Sequence, residues 1–137
     1  MAARAGDGIW GVAPDADVLE AYAAAGGQGP RYGQATVCWA ETEEAARDTA
    51  HRVWPNAGIK GQLSQELPLP SHFEQAAEMV DPEELAETLP VGPDPERHLD
   101  GIRQYLDAGY DHVYVHQVGP DQEGFFRFYE REVLPKL

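Results

Sequence analysis

The sequence contains a single cysteine, Cys38, which excludes an internal disulfide and a metal cage built from cysteines. Its flanks, ATVCWA, are apolar, so we predict a buried strand thiol rather than a nucleophile. No apolar run approaches the roughly 20 residues that cross a bilayer, and the first residues, MAARAGDG, lack the apolar stretch of a signal peptide. We therefore expect a cytoplasmic protein.

Positive charge is also scarce. The 137 residues include 10 lysines and arginines against 24 aspartates and glutamates, which gives a net charge of -14. Such a surplus of negative charge repels phosphate backbones and anionic lipid. We therefore expect neither nucleic acid nor a membrane surface as a partner. The 42% hydrophobic content is enough for one packed domain over residues 1–137.

Three short apolar runs have the composition of buried strands: GIWGVA at 8–13, QATVCWA at 34–40 and HVYVHQV at 112–118. Helical patterns separate these runs, with Asp15 and Thr42 as predicted N-caps and Gly109 as a predicted helix end. Strands that alternate with helices imply a parallel sheet with right-handed crossovers, so the fold class is α/β. Residues 56–70 are rich in glycine, proline and polar residues and predict a long loop.

His112 and His116 have the spacing of a zinc-binding pair on a helix, but on a strand they would lie about 13 Å apart at roughly 3.3 Å per residue. We therefore expect no metal site. The two-residue period of a strand puts His112, Tyr114 and His116 on one face, and Val113 and Val115 on the face that meets the helices. His116 then lies near the carboxyl end of the strand. There it either contacts a ligand or, more commonly for histidine, bonds to protein groups.

Other aromatic and histidine side chains have structural explanations. The last helix carries aromatic residues at spacings that cover one face, which is typical of core packing. They are Phe125, Phe126, Phe128 and Tyr129. His51, His72 and His98 fall in helical segments with mixed polar neighbours, which favours solvated positions. Asp121 follows the turn after the third strand and is expected to lie near the start of the last helix and its dipole.

The sequence resembles a known family in three stretches: ARAGDGIWGVAP at 3–14, WPNAGIKGQLSQELPLPSHFEQAA at 54–77 and HVYVHQVGPDQEGFFRFYERE at 112–132. That family is the F420-dependent branch of the luciferase-like monooxygenase superfamily, which includes glucose-6-phosphate dehydrogenases that use coenzyme F420. The resemblance implies a (β/α)8 barrel, a fold of typically about 250 residues. The chain would supply the last three units, strands six to eight, as the carboxy-terminal part of such a barrel.

The resemblance also implies a function. Family members are oxidoreductases that move a hydride between an organic substrate and a bound deazaflavin, coenzyme F420, with FMN as the alternative cofactor. Their catalytic residues and most cofactor contacts come from the earlier units of the barrel. We therefore assign no catalytic residue here, and we do not expect the isolated chain to bind the cofactor.

Candidate site residues follow from the rule that barrel chemistry lies at the carboxyl ends of the strands, and from the resemblance of the 62–66 loop to an insertion beside the family's substrate pocket. The candidate lining residues are Val12, Trp39, Gln62, Ser64, Gln65, His116, Gln117 and Gly119. Basic side chains that hold a sugar phosphate in family members fall at Asp15, Ser64 and about Glu87 here. A phosphosugar is therefore not the expected substrate.

Two other interpretations stay open. The chain could be a non-catalytic remnant that keeps the packing elements without the chemistry. It could also be a module that completes a barrel with a separately made amino-terminal half, or with another copy of itself. Three strands leave two sheet edges unpaired, which favours self-association.

Overall fold

The computed structural model describes residues 2–137. Its sheet has three strands, β1 (Ile9–Gly11), β2 (Arg31–Val37) and β3 (His112–Gln117). All neighbours pair in parallel, in the order β1-β2-β3, with Tyr32 opposite both Trp10 and His112. The prediction of a parallel α/β sheet built from three units is confirmed.

Eight α-helices surround or extend the sheet within the described residues. They are α1 (Ala2–Ala5), α2 (Ala16–Ala24), α3 (Glu43–Val53), α4 (Leu63–Glu66), α5 (Pro70–Ala77), α6 (Pro82–Thr88), α7 (Pro95–Ala108) and α8 (Gln122–Phe128). A 3-10 turn covers Pro55–Gly58, and the chain ends in a π turn, Tyr129–Val133, and a 3-10 turn, Leu134–Lys136. The predicted long loop at 56–70 is therefore wrong in part, because two short helical turns occupy it.

The helix ends are where the sequence predicts them. Asp15 accepts a hydrogen bond from the backbone N–H of Val18 at 3.1 Å, and Thr42 accepts one from Ala45 at 3.2 Å. These side chains satisfy amide groups that the first turn of a helix leaves unpaired. Gly109 ends α7 with a φ of 102°, a left-handed conformation that favours glycine.

The two faces of the sheet differ as the two-residue period predicts. Ala35 and Val37 are buried beneath the helices, and Val113 and Val115 pack against the same core. The main cluster joins these strands to Leu99 and other apolar residues of α7, α8 and the π turn. Within residues 2–137 no helix covers the opposite face as a layer, and we call this face the open face.

Several local predictions need correction. The first strand covers Ile9–Gly11 rather than 8–13, because the chain turns away from the sheet at Val12. His98 is fully buried instead of solvated. Phe126 is 65% exposed, so it does not belong to the core of the last helix. Cys38 is fully buried, as predicted, and burial raises the pKa of its thiol to about 11.

Candidate functional site

The open face carries uncharged side chains along all three strands. Its residues are Trp10, Tyr32, Gln34, Thr36, His112, Tyr114 and His116. Near the amino end of the strands the rings of Trp10 and Tyr114 stack with centroids 5.1 Å apart, and those of Tyr32 and His112 do the same at 5.1 Å. In a chain with a net charge of -14, a face without charge is a local exception. Depletion of charge is typical of surfaces that become buried in an assembly.

At the carboxyl end of the open face, His116 lies against Trp54, which follows α3. The two ring centroids are 5.0 Å apart in an edge-to-face arrangement. Among the residues that the structure describes, the buried Nδ1 atom of His116 has no hydrogen-bond partner. A buried N–H without a partner is costly, so the tautomer protonated at Nε2 is favoured. That tautomer leaves the Nε2–H as a donor for a ligand at this end of the sheet.

A cavity of about 610 Å³ opens where β1 ends. β1 pairs with β2 only as far as Gly33, and Cys38 then forms a single bridge with Val91. Between these two points the edge of β2 has no neighbouring strand within residues 2–137, and the cavity lies along this free edge. The lining includes Val12, Gln34, Thr36, Trp54, Arg97 and Tyr105.

Tyr105 of α7 holds the cavity wall together. Its hydroxyl lies 3.0 Å from the carbonyl oxygen of Val12 and 2.8 Å from that of Gln34. Burial raises the pKa of Tyr105 to about 12, so the hydroxyl keeps its proton at neutral pH. Nearby, the Tyr110 hydroxyl donates to the carbonyl of Ala13 at 2.9 Å. The two hydroxyls fix the chain in the position where it leaves the sheet.

Three charged side chains line the cavity among the described residues: one guanidinium and two carboxylates. Arg97 donates to the carbonyl oxygen of Ala86 at 2.7 Å and lies 3.5 Å from the Glu43 carboxylate. The Glu43 carboxylate lies closer to Arg47, at 2.7 Å, so Arg97 only shares this counter-charge. Glu87 and Asp100 also line the cavity and add carboxylates.

The predicted site residues fall into separate places. Val12 lines the cavity, and His116 lies beside it through its contact with Trp54. Gln62 and Gln65 are exposed on and next to α4, where Ser64 is half-buried. None of these three is among the residues that line the cavity in the described part of the chain.

Trp39, Gln117 and Gly119 lie on the helix side of the sheet. Trp39 is buried and stacks on Phe128 with centroids 5.7 Å apart. The Gln117 amide accepts from the Trp39 N–H at 2.8 Å and donates to the Trp39 carbonyl at 2.9 Å. A side chain on Gly119 would meet that amide at 2.7 Å. These three residues form a clamp between the ends of β2 and β3, away from the open face.

Sequence reasoning missed most of the cavity lining, including Gln34, Thr36, Gln104 and Tyr105. Gln34 and Thr36 share the open face of β2, and the same two-residue period that located His116 would have found them. Gln104 and Tyr105 lie on the cavity side of α7, but helical spacing alone does not distinguish that side from a core face.

Among the described residues, no helix is both long and apolar enough to cross a membrane.

Three parallel strands with intervening helices and a cavity near their carboxyl ends are the arrangement expected of part of a (β/α) barrel. Two solved structures share this fold. An F420-dependent secondary alcohol dehydrogenase matches with a TM-score of 0.72 and 16% identity, over 96% of this chain and 43% of that chain. The coenzyme F420-dependent tetrahydromethanopterin reductase of Methanopyrus kandleri matches with a TM-score of 0.66 and 19% identity, over 98% of this chain and 46% of that chain.

Sequence relatives give the family. No protein-family model matches the chain. The F420-dependent glucose-6-phosphate dehydrogenase of Nakamurella multipartita is 32% identical over 97 residues, which are 71% of this chain and 28% of that protein. The enzyme of the same name from Rhodococcus hoagii is 31% identical over 97 residues, 71% of this chain and 29% of that protein. The chain belongs to the luciferase-like family of F420-dependent oxidoreductases and corresponds to its carboxy-terminal portion. It spans less than a third of the length of these two relatives.

Proposed function

We propose that this chain forms one wall, strands six to eight, of the active site of an F420-dependent oxidoreductase. The activity is hydride transfer between a small organic substrate and a deazaflavin, and it requires the remaining units of the barrel. The observation that carries the proposal is an uncharged open face that ends in a cavity at the carboxyl ends of β1 and β2. Barrel enzymes hold their chemistry at this end of the strands.

The residues of this wall suit the ring of a deazaflavin better than its phosphate. Trp54 and His116 offer apolar and edge contacts, and the His116 Nε2–H is a donor for a polar atom of a bound ring. The phosphate would need cations or free backbone amides, and among the described residues that line the cavity Arg97 is the single cation, which already donates to the Ala86 carbonyl. We infer that the phosphate and most of the ring are held by other units of the barrel.

The proposed role of each residue follows from its position in the cavity or on the surface. When bound, F420 supplies the carbon centre that accepts or gives the hydride, while the protein supplies position and electrostatics. In this chain, Gln34 and Thr36 would orient polar atoms of the substrate, and Val12 and Trp54 would exclude water. Gln62, Ser64 and Gln65 remain candidates for an outer rim, since α4 is exposed. We propose no catalytic acid or base among these residues.

The alternative function is a non-catalytic module that packs against a partner without chemistry. The packing supports it, since the described residues form a sheet and helices around a core without a residue that we propose as a catalytic acid or base. The completing unit would be a separate amino-terminal half-barrel or a second copy of the chain. FMN in place of F420 is a further alternative within the enzyme proposal.

Cofactor fluorescence tests the proposal. F420 and, separately, FMN are titrated with the chain alone and with the chain co-purified with the first five β-α units of the Nakamurella multipartita relative. We expect a saturable change with F420 in the combined sample only, weakened by His116→Ala and unchanged by His112→Ala. His112 is the matched control because it lies on the same face near the opposite end of the strand. A combined sample that forms a complex but never binds F420 would support the non-catalytic module.

A further inference from the structure

We propose that the cavity beside the free edge of β2 binds a small molecule that carries hydrogen-bond donors and no negative charge, such as a hydroxylated or amine-bearing compound. If the cavity belongs to an oxidoreductase site, this is the substrate class of that site, so the assignment of a substrate rests on the proposed function. Binding itself does not, and it can be measured without any cofactor.

The first argument is an excess of acceptors on the cavity wall. The Tyr105 hydroxyl has one proton, but it lies within hydrogen-bond distance of two carbonyl oxygens, those of Val12 and Gln34. Only one of the two carbonyls receives that proton at a time. In a continuous sheet a backbone N–H from the neighbouring strand would satisfy such a carbonyl, but β1 has already ended. A bound donor at this edge would satisfy the carbonyl that Tyr105 leaves open.

The charged side chains that line the cavity indicate which ligand charge it accepts. Arg97 is the one cationic side chain among the described residues that line the cavity; it donates to the Ala86 carbonyl at 2.7 Å and lies 3.5 Å from the Glu43 carboxylate, which Arg47 also binds at 2.7 Å. The carboxylates of Glu87 and Asp100 also line the cavity, and Asp100 lies 3.3 Å from the Arg103 guanidinium. The lining therefore carries two carboxylates against one guanidinium, and this balance disfavours an anionic ligand relative to a neutral or cationic one.

The volume of the cavity and the polarity of its lining also suit a small polar molecule. A volume of about 610 Å³ lies within the range of roughly 300–1,000 Å³ that is usual for small-molecule sites. Trp54, Leu89 and Pro90 give apolar walls, and Gln34, Thr36 and Gln104 place polar groups among them. This mixture suits a molecule of about the size of a monosaccharide, with a hydrocarbon face and several polar hydrogens.

Three probes of one scaffold separate charge from shape: glucose, glucosamine and glucose 6-phosphate. Each is titrated into the whole chain at low salt without cofactor, and NMR follows the Trp54 indole N–H and the Gln34 and Gln104 side-chain amides. We expect saturable shifts with glucose and glucosamine, and affinity for glucose 6-phosphate lower by about fivefold or more. Tightest binding of the phosphate, or no saturable shift with any probe, would overturn the proposal.

A charge-reversed variant tests the cause of the preference. In Glu87→Lys with Asp100→Lys, both substitutions lie at exposed positions and make the cavity lining cationic, and Asp100→Lys also removes the 3.3 Å ion pair with Arg103. We expect the fold to be retained, because exposed ion pairs contribute little to stability. We expect the order of glucosamine and glucose 6-phosphate to reverse. The control, Glu20→Lys with Asp48→Lys, makes the same change in net charge at exposed positions outside the cavity and should keep the original order. An equal effect of both variants would overturn the local electrostatic explanation.

The result separates the two proposals. A chain that binds the neutral probes but never contributes to an F420 site would contradict the oxidoreductase function and leave the cavity assignment standing. A complex that binds F420 but whose chain binds glucose 6-phosphate most tightly would support the oxidoreductase function and contradict the cavity assignment.

Discussion

Gln117 lies where β3 ends. Its side-chain amide makes the hydrogen bonds that the backbone of a neighbouring strand would otherwise make. The amide bonds to both the N–H and the carbonyl of Trp39, at 2.8 and 2.9 Å, in a buried position. Gln117→Ala leaves both backbone groups without partners, so we expect the free energy of unfolding to fall by about 2–4 kcal/mol. Denaturant titration measures the change.

The exposed Gln65 provides the control for that substitution. We expect Gln65→Ala to change the free energy of unfolding by no more than about 0.5 kcal/mol. If Gln117→Ala were as mild as Gln65→Ala, the clamp would not contribute to stability, and Gln117 would return to the set of candidate ligand contacts.

His98 makes stability depend on pH. Its ring is fully buried between the Gly92 carbonyl and the Tyr129 hydroxyl, each 2.9 Å away. Burial is the main cause that lowers the pKa of His98 below its ordinary value, and the hydrogen bond to Gly92 opposes it. The unfolded chain therefore binds a proton at a higher pH than the folded chain does. Stability from this residue is present above about pH 6.5 and falls by up to about 1.4 kcal/mol per pH unit as the pH drops below it.

The measurement is the free energy of unfolding between pH 5 and pH 7, a window set by the ordinary histidine pKa of about 6.5. We expect the loss of stability toward pH 5 to be smaller in His98→Gln than in the unchanged chain. His112→Gln, at an exposed position, should keep the original slope. An unchanged slope in His98→Gln would contradict the buried neutral state.

The burial of His98 could not be predicted from the sequence alone. His98 precedes Leu99, and the spacing of Leu99, Ile102 and Tyr105 predicts a buried stripe that could have included it. A histidine at the border of such a stripe is buried only if partners exist, and Gly92 and Tyr129 come from other segments. Trp39 follows the same two-residue period as Ala35 and Val37, which places it on the helix side of the sheet.

At the scale of elements, α7 fixes both the core and the cavity. The Tyr105 hydroxyl joins the helix to the end of β1 and to the edge of β2. We expect Tyr105→Phe to lower the free energy of unfolding by about 1–2 kcal/mol, because the two carbonyls lose their shared donor. Calorimetry or denaturant titration measures the loss.

Tyr114→Phe is the matched control, since that ring is 52% exposed on the open face. It should change stability by about 0.5 kcal/mol or less. Equal effects of the two substitutions would mean that the Tyr105 hydroxyl does not hold the edge of the cavity.

The elements themselves were largely predictable, whereas the cavity was not. The apolar runs and caps determine three parallel units, since Asp15, Thr42 and Gly109 act locally. The cavity depends on contacts that no local pattern encodes. Tyr105 reaches Val12 across 93 residues and Tyr110 reaches Ala13 across 97. Only the folded arrangement reveals that β1 stops short of the end of β2.

For the whole molecule, the feature that needs explanation is an uncharged aromatic face on a chain with a net charge of -14. Water does not favour such a face, and the free edges of β1 and β3 add unpaired backbone groups. The solved structures of the same fold extend well beyond the part that this chain matches, which covers 43% and 46% of them. We propose that further β-α units cover this face.

The most direct test is sedimentation of the chain with the first five β-α units of the Nakamurella multipartita relative. We predict an equimolar complex, abolished by Tyr114→Lys on the open face and retained by Leu106→Lys, whose side chain is 45% exposed on α7. Both substitutions add one charge at a partly exposed apolar position, so only the location differs. The absence of a complex, or an equal effect of the two substitutions, would contradict the claim that the open face is the inner wall of a completed barrel.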